Sequence, residues 1–353
     1  MAYTDIDDPS KYFQIALYAG NGTGQTITND GNSDLKPDFL WFKNRSETVA
    51  NTLWDSSRGI TKFLVSEQTA AEYTNASGYE LTSFNTDGFG LGGHNNAGIN
   101  QSSSYNYVSW QWKANGGTTA NNTTGSINSV VQANQDAGFS IITYTGNATN
   151  STVGHGLGVQ PSVIINKKRG ATASWSVWHS TLLGTQLLEL NTTGATATVA
   201  AIWNSTVPTS SVFSIGTDGQ TNSNNTTYVT YAFAEKQGYS KFGSYKGNTN
   251  ADGAFVYTGF KPAWLMVKRA SYTAGDGWYI FDNKRNTSNV TNKILNASSN
   301  GVESSSADAV DFLSNGFKLR TALAGSNSGS TYIYMAFAEN PFVTSTGIPT
   351  TAR

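Results

Sequence analysis

Tyr107-Val108-Ser109-Trp110-Gln111-Trp112-Lys113-Ala114 is matched by Tyr228-Val229-Thr230-Tyr231-Ala232-Phe233-Ala234-Glu235 and by Tyr332-Ile333-Tyr334-Met335-Ala336-Phe337-Ala338-Glu339. Each stretch is rich in aromatic and β-branched residues and alternates, which is the signature of a strand. In the first, Val108, Trp110 and Trp112 share one face, so that face reads as core or interface. Three such strands in one chain point to an internal repeat.

Four further blocks recur in the same order. A strand ends in Tyr-x-Gly-Asn at Tyr18–Asn21, Tyr144–Asn147 and Tyr245–Asn248. A proline then opens a β-rich run closed by lysine: Pro37 to Lys43, Pro161 to Lys167 and Pro262 to Lys268, with Arg45, Arg169 and Arg269 close behind. An aromatic–polar pair follows, as Trp54-Asp55, Trp178-His179 and Phe281-Asp282. The fourth block is the short run containing Phe89, Phe213 or Phe317. The spacing divides the chain into an N-terminal arm (residues 1–11), a first repeat (12–114), a connector (115–137), a second repeat (138–235), a third (239–342) and a tail (343–353). A repeat of this size can own a core, unlike the units of a solenoid. The fold expected is all-β: three tandem antiparallel β-sandwich domains of jelly-roll, lectin-like type.

The Gly/Thr/Asn-rich connector reads as flexible. Lys236–Gly238 is so short that the second and third repeats should pack as a rigid pair. Thr61–Tyr73 and Ala307–Leu313 offer at most a few helical turns. The arm and tail, outside the repeats, are expected to carry contacts with neighbouring subunits in a homo-oligomer.

Only 13% of the 353 residues are charged and the formal net charge is −1, which gives no basic footprint for nucleic acid or anionic membrane. Cysteine is absent, which removes disulfides and thiol chemistry. No apolar run approaches a bilayer span, and the N-terminus has no signal-peptide pattern. His94, His155 and His179 lack metal-ligand spacing. The matched series Asp55, His179 and Asp282 gives no repeated carboxylate pair, so acid–base glycoside cleavage in every repeat is rejected. No cofactor is expected. Asp30-Gly31-Asn32-Ser33-Asp34 has oxygen ligands for calcium but reads equally well as a turn.

Lys43, Lys167 and Lys268 read as solvated strand ends that discourage edge pairing, with acidic-sugar binding as the functional alternative. Trp41, Trp54, Trp175, Trp178, Trp203 and Trp278 are candidates for a glycan platform or for an interface, since both use indole faces.

The segments Tyr3–Phe13, Trp41-Phe42-Lys43-Asn44-Arg45, Trp54-Asp55-Ser56-Ser57-Arg58-Gly59, Ser83–Phe89 and Trp110–Ala114 resemble virion proteins of marine and cyanobacterial tailed phages. The resemblance covers the first repeat; the others lack the Asp-Ser-x-Arg-Gly segment, so only the scaffold carries over there. It implies lectin-type sandwich domains and a non-enzymatic protein of the virion surface, assembled in the host cytoplasm. The expected role is a tail fibre or appendage that attaches to host-surface glycans. The alternative is a capsid decoration protein, and a polysaccharide-degrading enzyme comes last. Expected partners are the protein itself, other virion proteins and a host glycan, with neither nucleic acid nor membrane insertion.

Overall fold

A computed structural model describes residues 4–271 and 276–350. Strand accounts for 43% of the chain and helix for 3%, so the protein is all-β with antiparallel sandwich-like sheets. In each repeat three strands form the same ladder, with the closing strand in the middle. Asn106–Trp112 lies between Phe13–Ala19 and Phe39–Asn44. Thr227–Phe233 lies between Phe139–Thr145 and Val163–Lys168, and Thr331–Pro341 lies between Ser240–Lys246 and Phe260–Arg269. The register makes Trp110, Tyr231 and Met335 equivalent, and likewise Trp112, Phe233 and Phe337.

These central strands are buried on both faces. Every residue of Phe39–Asn44 is buried, and so are all but the last of Phe260–Arg269. Such strands read as near-continuous apolar runs because neither face meets water. In the first repeat one face, with Leu40, Phe42 and Trp54, packs on a small sheet carrying Phe89 and Leu91. The opposite face, with Phe39, Trp41, Trp110 and Trp112, joins a core to which all three repeats contribute. At its centre Trp112, Phe233 and Phe337 touch one another, with ring centroids 6.3, 5.8 and 5.6 Å apart. The Trp112 indole also meets Trp264 edge to face at 5.6 Å, a favoured quadrupole arrangement.

The Tyr-x-Gly-Asn block proves to be architectural. Tyr18, Tyr144 and Tyr245 stack on the first tyrosine of their closing strands, with centroids 5.1, 5.0 and 5.2 Å apart. The backbone N–H of Asn21, Asn147 and Asn248 donates to the side-chain oxygen of a buried asparagine: Asn100, Asn222 and Asn327 respectively. The glycine is needed for close approach. A Cβ at Gly20, Gly146 or Gly247 would meet a carbonyl oxygen at 2.7, 2.5 or 2.0 Å.

Two expectations need correction. The connector is structured: Ala120–Asn122 and Ser129–Asn134 extend the sheet of the second repeat by pairing. Composition misleads here because Asn, Thr and Gly build this protein's edge strands as well as its turns. The expected helical turns are strands, Lys62–Val65 and Ser304–Leu313. The described part of the arm packs on its own chain. Ile6 enters the shared core, Thr4 donates to the Gln237 carbonyl at 2.7 Å, and Asp7 accepts from the tail at Ser345. A Cβ at Gly238 would strike Thr4, so the short Lys236–Gly238 connector is shaped to take the arm. Met1–Tyr3 lie outside the described residues, as do Thr351–Arg353 of the tail.

Candidate functional site

The candidate residues of the sequence converge on the junctions between repeats. Lys43, Lys167 and Lys268 are fully buried. Each ammonium donates to one carbonyl of its own repeat and one of the preceding repeat. Lys167 reaches Ala173 and, in the first repeat, Thr69 at 2.9 Å. Lys268 reaches Asp276 and, in the second, Thr193 at 2.9 Å. Lys43 closes the circle by reaching Val49 and, in the third, Asn300 at 2.9 Å. These are neither solvated strand ends nor sugar ligands. Burial pulls all three ammonium groups down to about 8, opposed at Lys43 by Glu67 and at Lys268 by Asp276.

The tryptophans follow the same rule. The Trp175 indole donates to the Val65 carbonyl of the first repeat, and Trp278 to the Glu189 carbonyl of the second, each at 2.9 Å. Asn51 occupies the matching position in the first repeat and donates to Asn296 and Ser299 of the third. Trp41, Trp54, Trp178 and Trp203 are buried within the cores. None of the six presents a face to solvent in this chain, so a glycan platform on them is ruled out by placement, and Trp175 and Trp278 serve interfaces between repeats.

The aromatic–polar pair completes each junction, in two versions. Between the first and second repeats, Asp55 is ion-paired with Arg58 and accepts from the Tyr231 hydroxyl at 2.8 Å, while Glu72 takes both Arg58 and Arg169. Between the third and first, Asp282 is ion-paired with Arg285 and accepts from the Trp110 indole at 3.0 Å, while Glu303 takes Arg285 and Arg45. Burial works to raise both glutamates, but their paired arginines outweigh it and hold the carboxyls below the usual range.

The junction between the second and third repeats lacks this network at each equivalent position. Met335 stands where Tyr231 and Trp110 donate, so an aspartate there would be a buried charge without a partner. The position holds His179, whose ring contacts the Tyr334 carbonyl at 3.3 Å. Leu182 replaces Arg58 and Arg285 three residues later. Backbone bonds from Glu72 to Arg169, Glu303 to Arg45 and Thr196 to Ala270 are equivalent, so Thr196 and Ala270 replace the Glu–Arg pair. Donor, acid and arginines have changed together. At these junctions a buried aspartate is found only where an arginine pairs with it.

Burial pushes the His179 imidazole down to about 4, and the Tyr334 carbonyl offsets this only in part. The folded chain therefore keeps His179 neutral, while an unfolded histidine protonates near pH 6.5. Between those values the unfolded state binds the extra proton, so stability falls as pH falls. The loss should reach about 3 kcal/mol by pH 4, and His179→Gln should remove most of it. Denaturant midpoints of both proteins from pH 7 to 4 measure the difference.

The surface presents other aromatics. Tyr73, Tyr79, Phe255 and Tyr257 are exposed, Tyr257 most at 58%. Tyr257 borders a groove of about 570 Å³ lined by Glu235, Gln237, Lys241, Thr258 and Phe342. No repeated motif marks Phe255 or Tyr257. Asp30 of the Asp30–Asp34 segment considered for calcium pairs with Lys284 at 2.7 Å. Among the described residues no group of three metal-ligating side chains converges.

Fold and junctions together define a β-sandwich protein in which three repeats close around one core. The chain belongs to the family described as "Domain of unknown function (DUF7483)", whose model matches residues 8–341 and so takes in all three repeats as one unit. No curated protein and no solved structure matches it.

Proposed function

We propose that the chain is a non-enzymatic structural protein on the surface of a tailed-phage particle, a component of a tail fibre or appendage that attaches to host-surface glycans. The phage resemblance of the first repeat supplies the setting. One structural observation supports a structural rather than a catalytic role. The carboxylates that recur with the fold (Asp55, Glu72, Asp282 and Glu303) are held by arginines at the repeat junctions, with side chains 0–12% exposed. A general acid or nucleophile must reach substrate.

A second reading, a capsid decoration protein, is favoured by the burial of all nine candidate residues for glycan contact. Labelled antibody on purified particles separates the two. Label at the tail supports attachment, regular label over the head supports decoration, and absence from the particle sinks both.

A further inference from the structure

The three repeats differ at one outer edge. In the second repeat the strand Ser151–Gly154 pairs with Val212–Ile215, and its other side is covered by the connector. Ile127 bridges Val153, the Ile127 N–H donates to the Thr152 carbonyl at 3.0 Å, and Ser126 exchanges bonds with Thr152. Gly125 permits this, since a Cβ there would meet the Thr152 oxygen at 2.4 Å.

Among the described residues no strand covers the matching edge of the first or third repeat. The register makes Ile27, Val153 and Val256 equivalent through their partners Phe89, Phe213 and Phe317. The flanking outward positions hold Thr26 and Thr28 in the first repeat, both exposed and polar. In the third repeat they hold Phe255 and Tyr257, which are 46% and 58% exposed. Phe255–Tyr257 is the last strand of its sheet among the described residues. Ala254 and Thr258 bond to the neighbouring strand, so alternation points the N–H and C=O of Phe255 and Tyr257 outward. An apolar edge of this kind is a template for another strand.

We infer that this edge pairs with the same edge of a second copy of the chain. A twofold antiparallel pairing centred on Val256 sets Phe255 opposite the partner's Tyr257, and Tyr257 opposite the partner's Phe255. Each pair exchanges both outward backbone bonds and joins two aromatic rings across the strands. A twofold contact must be self-complementary, and Phe-Val-Tyr meets that condition about its central residue. The first repeat avoids the contact with threonines, and the second fills it with its own connector. The inference rests on the homo-oligomer expected from the sequence and not on where the particle carries the protein.

Sedimentation equilibrium of the whole protein tests it, beside the double variant Phe255→Thr/Tyr257→Thr. That variant copies the first repeat's outward residues and keeps Val256, so it retains the core contact. Wild type should show a concentration-dependent dimer, and the variant should associate about tenfold or more weakly, the loss expected from two cross-strand aromatic pairs. Hydrogen exchange at the Phe255 and Tyr257 amides should slow as wild-type concentration rises. A wild-type monomer at every concentration, a dimer undiminished in the variant, or amide exchange indifferent to concentration overturns the inference, whatever particle labelling shows.

Discussion

Arg285→Met should destabilise the entire chain by about 3–5 kcal/mol, because it leaves Asp282 charged and buried with only the Trp110 indole and a backbone N–H for support. Arg58→Met should cost a similar amount, since Asp55 would retain Tyr231 and one backbone N–H. The molecule supplies its own control. Leu182 holds the matching position at the junction that lacks the aspartate–arginine pair, and Leu182→Met should cost less than about 1.5 kcal/mol as a volume-conserving change. Equilibrium denaturation of the three variants measures the contrast. Equal costs at all three positions would mean that the ion pairs do not distinguish the junctions.

Trp112→Ala should cost about 3–5 kcal/mol, the range for truncating a large buried aromatic. Trp112 touches Phe13 and Phe39 of its own repeat, Phe233 of the second, and Trp264 and Phe337 of the third. The cavity would therefore border every repeat, and no single one could collapse into it. Trp54→Ala removes a side chain that is just as buried, but from the first repeat's own core. The two variants should differ in reach: near-ultraviolet circular dichroism and hydrogen exchange should show loosening in all three repeats for Trp112→Ala and mainly in the first for Trp54→Ala.

Much of this architecture is legible in the amino-acid sequence. The repeated blocks locate the strands, and the constant Tyr-x-Gly-Asn marks a stacked tyrosine and a close backbone approach. The run Trp264-Leu265-Met266-Val267 also carries a signal that alternation alone does not capture. Four consecutive large apolar residues in a strand mean burial on both faces, hence a second layer beyond the sandwich. The roles of Lys43, Lys167 and Lys268 are not legible, because their acceptors at Asn300, Thr69 and Thr193 lie in another repeat and come near only when the circle closes. A repeated cation beside a strand end looks the same in sequence whether it faces water or a neighbouring repeat.

The exchange of Asp55 and Asp282 for His179 is visible in the sequence as a mismatch, but its reason is not. Met335 explains it only after the register makes Met335 equivalent to Tyr231 and Trp110, the donors to Asp55 and Asp282. The connector 115–137 is misleading because composition cannot tell a flexible tether from an edge strand built of the same residues. Phe255 and Tyr257 are inconspicuous because the short runs around them lack the tryptophans that stand out elsewhere. Their meaning comes from comparison with Thr26 and Thr28 at the same register.

Three repeats make one cooperative unit, held by a shared core and a closed circle of junctions. Differential scanning calorimetry of the whole chain decides whether they unfold together. One transition whose calorimetric and van't Hoff enthalpies agree is the predicted result. Separate transitions, each assignable to a repeat that also folds when residues 12–114, 138–235 or 239–342 are expressed alone, would contradict it.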